Sequence, residues 1–164
     1  MLYKLSYKFI LLFLAVFYLN PVFCQWVDYD KASGKVLLEN LPNKTYRFRG
    51  IVASINSYYT YLGSVHCGSR ILKLINTKTI WGPNKHNYAS ILIFNAKNKY
   101  IGRYHLGDAR DLPVKLLNGA MLFSNKNKDC TTPVYKRISL KHGLPRTIFV
   151  PACNDMGDLY YFGD

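Results

Sequence analysis

The sequence predicts a mainly β domain, an antiparallel β-sandwich or curled meander sheet, with an α+β variant carrying one short helix in residues 50–65 as the alternative. Three observations point there. Short runs of apolar and aromatic residues recur along the chain, turn-forming residues separate them, and Asn118-Gly119 sits between two such runs.

The early chain contains two candidate strands, Lys35-Val36-Leu37-Leu38 and Thr45-Tyr46-Arg47-Phe48-Arg49. Residues 50–65 fit a strand pair or one helix: Ile51, Ile55, Tyr58 and Leu62 recur at helical spacing, whereas the cluster Tyr58, Tyr59 and Tyr61 favours strand. Residues 69–75 alternate polar with apolar, and Trp81-Gly82-Pro83-Asn84-Lys85 reads as a loop. The second half is more legible. Ser90-Ile91-Leu92-Ile93-Phe94 is a β-prone run, Asn95-Ala96-Lys97-Asn98 supplies turn residues, and the alternating stretch 99–105 completes a hairpin. Asn118-Gly119, between Val114-Lys115-Leu116-Leu117 and Ala120-Met121-Leu122-Phe123, suits a type I′ turn, whose two central residues need positive φ. Residues 134–140 and 146–150 flank the turn 141–145 as a further expected hairpin, and residues 158–162 form a last strand. No linker or internal repeat divides the chain, so residues 25–164 are expected as a single domain.

The first 24 residues have the organisation of a secretory signal peptide. Lys4 and Lys8 make a positive n-region, an apolar run covers residues 9–19, and Asn20-Pro21 interrupts any helix there. Val22 and Cys24 at positions −3 and −1 place cleavage before Gln25. The expected location is therefore extracytoplasmic, either periplasmic or extracellular. Lipidation at Cys24 is the minor alternative, opposed by the bulky Phe23 before it. No later segment of the mature chain is apolar and long enough to span a bilayer as a helix.

Removing the leader deletes two lysines and no acid, so the formal charge falls from +13 to +11. Such a charge favours an anionic partner: a glycan, a lipid headgroup or an acidic protein surface. A merely solvated basic surface is the competing reading, since Lys outnumbers Arg and no specific nucleic-acid motif is present. Export permits disulfides, and three cysteines remain after cleavage. Cys130 and Cys153 flank the expected hairpin and are the expected pair, with Cys67 left as a buried thiol. Pairing of Cys67 with either of them is the rival arrangement.

Motifs for catalysis and cofactor binding are missing. His66 and Cys67 are adjacent, so in a strand they point to opposite faces and form neither a chelate nor a nucleophile–base pair. The oxygens of Asn154-Asp155-Met156-Gly157-Asp158 lack the alternation and terminal Glu of a calcium loop. No metal, cofactor or catalytic residue is assigned. The patterned feature is a cationic face. In strands that turn their aromatic residues inward, Arg47, Arg49, Lys99 and Arg103 occupy outward positions. Two functions follow. One is a non-enzymatic secreted domain binding an anionic polymer, envelope component or partner protein through those cations. The alternative is a small secreted hydrolase or nuclease using His105 with a nearby carboxylate, Asp108 or Asp111.

Overall fold

The structure, a computed structural model, describes residues 29–50, 54–125, 134–152 and 156–163. The expected leader and its expected cleavage site, with Cys130 and Cys153, lie outside the described residues. Among the described residues, ten strands form two antiparallel sheets, as expected. Seven of them, β1 (Thr45–Arg49), β2 (Asn56–Cys67), β3 (Arg70–Trp81), β4 (His86–Asn95), β5 (Tyr100–Leu106), β9 (Thr147–Pro151) and β10 (Gly157–Gly163), make a sheet of order β1-β2-β3-β4-β5-β10-β9. The others, β6 (Lys115–Leu117), β7 (Ala120–Asn125) and β8 (Val134–Ser139), make a small sheet of order β6-β7-β8.

The one α-helix among the described residues is α1 (Tyr29–Glu39), not a segment of 50–65. Within 50–65, every residue from Asn56 onward belongs to β2. Lys35 to Leu38, read as a strand, is the second half of α1. Local pattern explains the difference: Ala32, Ser33, Val36 and Leu37 fall four apart in pairs and are all buried, a helical stripe of two turns. Asn40 ends the helix with φ 50° and donates its N–H to the Val36 carbonyl at 3.2 Å, a left-handed cap that asparagine tolerates.

The large sheet is buried on both faces. On one, α1 packs over Tyr46, Tyr59, Tyr61, Ile75, Leu92 and Phe94. On the other, Met121, Phe123 and Leu140 from the small-sheet region cover Leu72, Leu74, Ile91, Ile93, Tyr104 and Leu106. A bulge between Tyr61 and Gly63 moves the odd-numbered residues of β2 from one core to the other. Before it, the odd residues Ser57, Tyr59 and Tyr61 face the helix. After it, Val65 and Cys67 face the small sheet, because one extra residue inverts the alternation.

A second bulge separates Ile93↔Gly102 from Phe94↔Tyr100. It turns Tyr100 to the helix side, where its ring lies 5.7 Å from that of Phe94. Simple alternation, which grouped Tyr100 with Gly102 and Tyr104, fails at this point. The expected hairpin around Asn118-Gly119 forms, with φ 48° and 74° at those residues. The expected hairpin of 134–140 with 146–150 does not. β8 pairs with β7, and β9 pairs with β10. Residues between them cross from one sheet to the other, held by Leu140 N–H to Gly119 O and Tyr104 Oη to Pro145 O at 2.9 and 2.6 Å. The premise that set Cys130 and Cys153 across a hairpin is therefore gone.

Gly102 shows how closely the strands approach. Its φ is 140°, and a Cβ there would meet the Phe162 ring at 2.5 Å and the Gly163 carbonyl at 2.9 Å. Gly102→Ala combines a strained backbone with a clash against β10, and should cost about 2–3 kcal/mol. A urea melt checks this: the midpoint should fall with the slope unchanged.

Candidate functional site

The register between strands decides which side chains share a face. Thr45, Thr60 and Asn76 oppose one another across β1, β2 and β3. Arg47, Tyr58 and Lys78 form the next row, and Arg49, Asn56 and Ile80 the third. Paired residues in a sheet point the same way, so these nine form one surface, roughly 10 by 14 Å from strand and residue spacings. The first two rows turn apolar on β4, at Ile91 and Ala89, where the core beneath the small sheet begins.

Local bonds order this surface. Arg47 donates from Nε and Nη2 to Asn56 Oδ1 at 3.1 and 2.7 Å, which ties its guanidinium across from β1 to β2. Thr45 and Thr60 share a hydroxyl–hydroxyl bond of 2.8 Å. Asn76, buried, donates from Nδ2 to the Pro113 carbonyl at 2.7 Å, and its Oδ1 has no partner. A cleft of about 410 Å³ opens between this surface and Ala109 and Leu112 of the turn after β5. Arg47, Arg49 and Lys78 pair with no carboxylate among the described residues. Burial works to raise the Asp108 carboxyl, but the Arg110 N–H and guanidinium, with Lys78 beyond them, hold it below the ordinary value.

The four cations singled out from the sequence do not share one face. Arg47 and Arg49 lie on the surface just described. Arg103 opposes Leu92 and Ile75, on the helix-covered face. Lys99 lies at the far end of the sheet, in a cleft of about 600 Å³ lined also by Arg70 and Lys97. Ala89, in the row of Arg47, and Asn95, which Lys99 faces across the turn, are about 20 Å apart at the usual strand rise. Lys78 is the residue that sequence reading missed. Its signal was the extension of β3 beyond Ile75, which the alternation over 69–75 did not reach.

Among the described residues, no carboxylate hydrogen-bonds His105. Its Nδ1 lies 3.3 Å from Ser90 Oγ, and its ring contacts Tyr88 at 5.6 Å. Asp108 instead pairs with Arg110, and Asp111 Oδ2 accepts from Tyr160 Oη at 2.6 Å. Burial pushes the Asp111 carboxyl up, against the pull of that hydrogen bond. Cys67 is buried and free, with exposed His66 on the opposite side of β2. Glu39, the single glutamate, accepts from both Lys44 Nζ and Tyr46 Oη at 2.7 Å and so ties the end of α1 to β1. Among the described residues, no three His, Cys, Asp or Glu side chains gather at one point, and no helix is long and apolar enough to cross a membrane. No protein-family model, curated protein or solved structure matches the chain.

Burial, and then the Arg103 charge, hold the His105 pKa below 6.5. The folded state thus binds its proton less readily than the unfolded chain. Its contribution is fully present above 6.5 and is lost as pH falls through that value toward the folded pKa. An NMR titration should place His105 below 6.5, and Arg103→Gln should move it part of the way back, leaving the burial effect.

Proposed function

We propose that the chain is an exported, non-enzymatic binding domain that holds an anionic polymer, envelope component or partner protein on the β1–β3 surface. One observation carries this reading: the register aligns Arg47 and Lys78 on either side of Tyr58, with Arg49 in the next row, and none of the three forms an ion pair with a carboxylate among the described residues. Cations that are not committed to an ion pair keep their charge available to an external partner. Their setting on paired strands holds them at fixed separations, so little order has to be imposed when a partner binds. The Arg47–Asn56 hydrogen bonds add to that preorganisation.

Export rests on the order of charges and apolar residues in 1–24. N-terminal sequencing of the product released by a secreting host should begin at Gln25, and retention of residues 1–24 would overturn this part of the reading.

The binding surface is tested on immobilised heparin, used as a polyanion probe. Elution should move to lower salt in the triple variant Arg47→Gln, Arg49→Gln, Lys78→Gln. Exposed charge contacts contribute about 0.5–1 kcal/mol each, so the loss in affinity should be about tenfold or more. The matched triple Arg70→Gln, Lys97→Gln, Lys99→Gln removes the same charge from the opposite end and should have a smaller effect. Equal losses in the two triples would reduce the interaction to net charge and remove the assigned surface.

A further inference from the structure

The cleft beside Asn76 narrows the class of anion. We propose that it is a sugar subsite for an acidic polysaccharide, with a ring hydroxyl donated to Asn76 Oδ1 and the sugar's acidic group held by Lys78. This rests on the β1–β3 surface being the binding face. The Asn76 amide has a defined orientation, since Nδ2 is committed to the Pro113 carbonyl at 2.7 Å. Oδ1 is therefore the acceptor, it is buried, and it has no donor. A buried acceptor left unsatisfied is costly, and a ligand hydroxyl bound there would remove that cost.

The rest of the lining suits the same ligand. Thr45, Thr60 and Tyr58 present hydroxyls that donate and accept, which matches the mixed character of sugar hydroxyls. Ala109, Leu112 and Ile80 supply an apolar wall for the C–H faces of a ring. Half-buried Lys78 brings a positive charge to the same cleft, and Arg47 stands in its row at the rim. The volume of about 410 Å³ falls inside the range of about 300–1,000 Å³ usual for small-molecule sites. A single-stranded nucleic acid would want successive aromatic platforms, and Tyr58 is the one aromatic among the nine residues of this surface.

Calorimetric titration of the full mature chain tests the proposal with four probes: an oligogalacturonate, a heparin-derived hexasaccharide, maltohexaose, and inorganic polyphosphate of matched charge. The first two separate a carboxylate from a sulfate as the acidic group. At least one acidic oligosaccharide should bind about tenfold tighter than polyphosphate and than neutral maltohexaose. Thr45→Val with Thr60→Val keeps side-chain shape and strand preference while removing both hydroxyls. This pair should weaken the acidic oligosaccharide about fivefold to tenfold and leave polyphosphate binding unchanged. Far-UV circular dichroism and the thermal midpoint confirm that the variant is folded. Polyphosphate, or an added single-stranded oligonucleotide, bound as tightly as the sugars would overturn the subsite and leave the cationic surface standing, as would indifference to the threonine pair. Binding of none of the charged probes would overturn both.

Discussion

β2 is twelve residues long, and its odd-numbered residues serve one core in its first half and the other core in its second. A strand with period two commits all its odd residues to one face. The extra residue between Tyr61 and Gly63 resets that commitment, so Tyr59 and Tyr61 lie under α1 while Val65 and Cys67 lie under the small sheet. β3 runs alongside without a break, Ile75 toward the helix and Leu72 and Leu74 toward the small sheet. The two covers are thereby offset along the sheet. Where the small sheet stops short, the outer part of β1–β3 keeps polar residues on a face that is otherwise core.

That offset explains the candidate site. The rows of Asn76 and Lys78 become apolar one strand later, at Ile91 and Ala89, so the boundary between core and polar surface falls between β3 and β4. The turn after β5 closes over this boundary and is pinned there by Asn76 through Pro113. A single buried amide thus fixes the floor of the cleft and leaves one acceptor unspent. On the helix face several polar groups bond one another, although Ser33 Oγ is buried with no hydrogen-bond partner among the described residues. Ser57 bonds Thr79 at 2.9 Å, and Glu39 is shared by Lys44 and Tyr46.

Charge alone would have misled. The chain carries a large positive excess, yet the four cations singled out from the sequence fall in three regions, and only the inter-strand register says which act together. Arg47 and Arg103 each alternate with aromatic neighbours in sequence, but β1 and β5 present their odd residues to opposite faces. His105 illustrates the same point in a different way. Its sequence neighbours Asp108 and Asp111 turn away to Arg110 and Tyr160, because the backbone leaves the sheet at Gly107 and winds into a short 3₁₀ turn.

By itself the sequence determined the β-rich class, the hairpin of β4 and β5, the Asn118-Gly119 turn and the inward orientation of Tyr46 and Phe48. Each of these depends on contacts within a few residues or on a period that a strand imposes locally. The helix at Tyr29–Glu39 was also legible in principle, in the spacing of Ala32, Val36, Ser33 and Leu37, although β-branched Val36 within a short apolar run reads equally well as strand. Only the tertiary structure decided that β8 joins β7, that two bulges reverse the faces of β2 and β5, and that Lys78 stands beside Tyr58 and Arg47. The physical reason is range. Local propensity sets which segments extend, but strand partners are chosen by burial of whole faces, and a one-residue shift in register exchanges core for solvent.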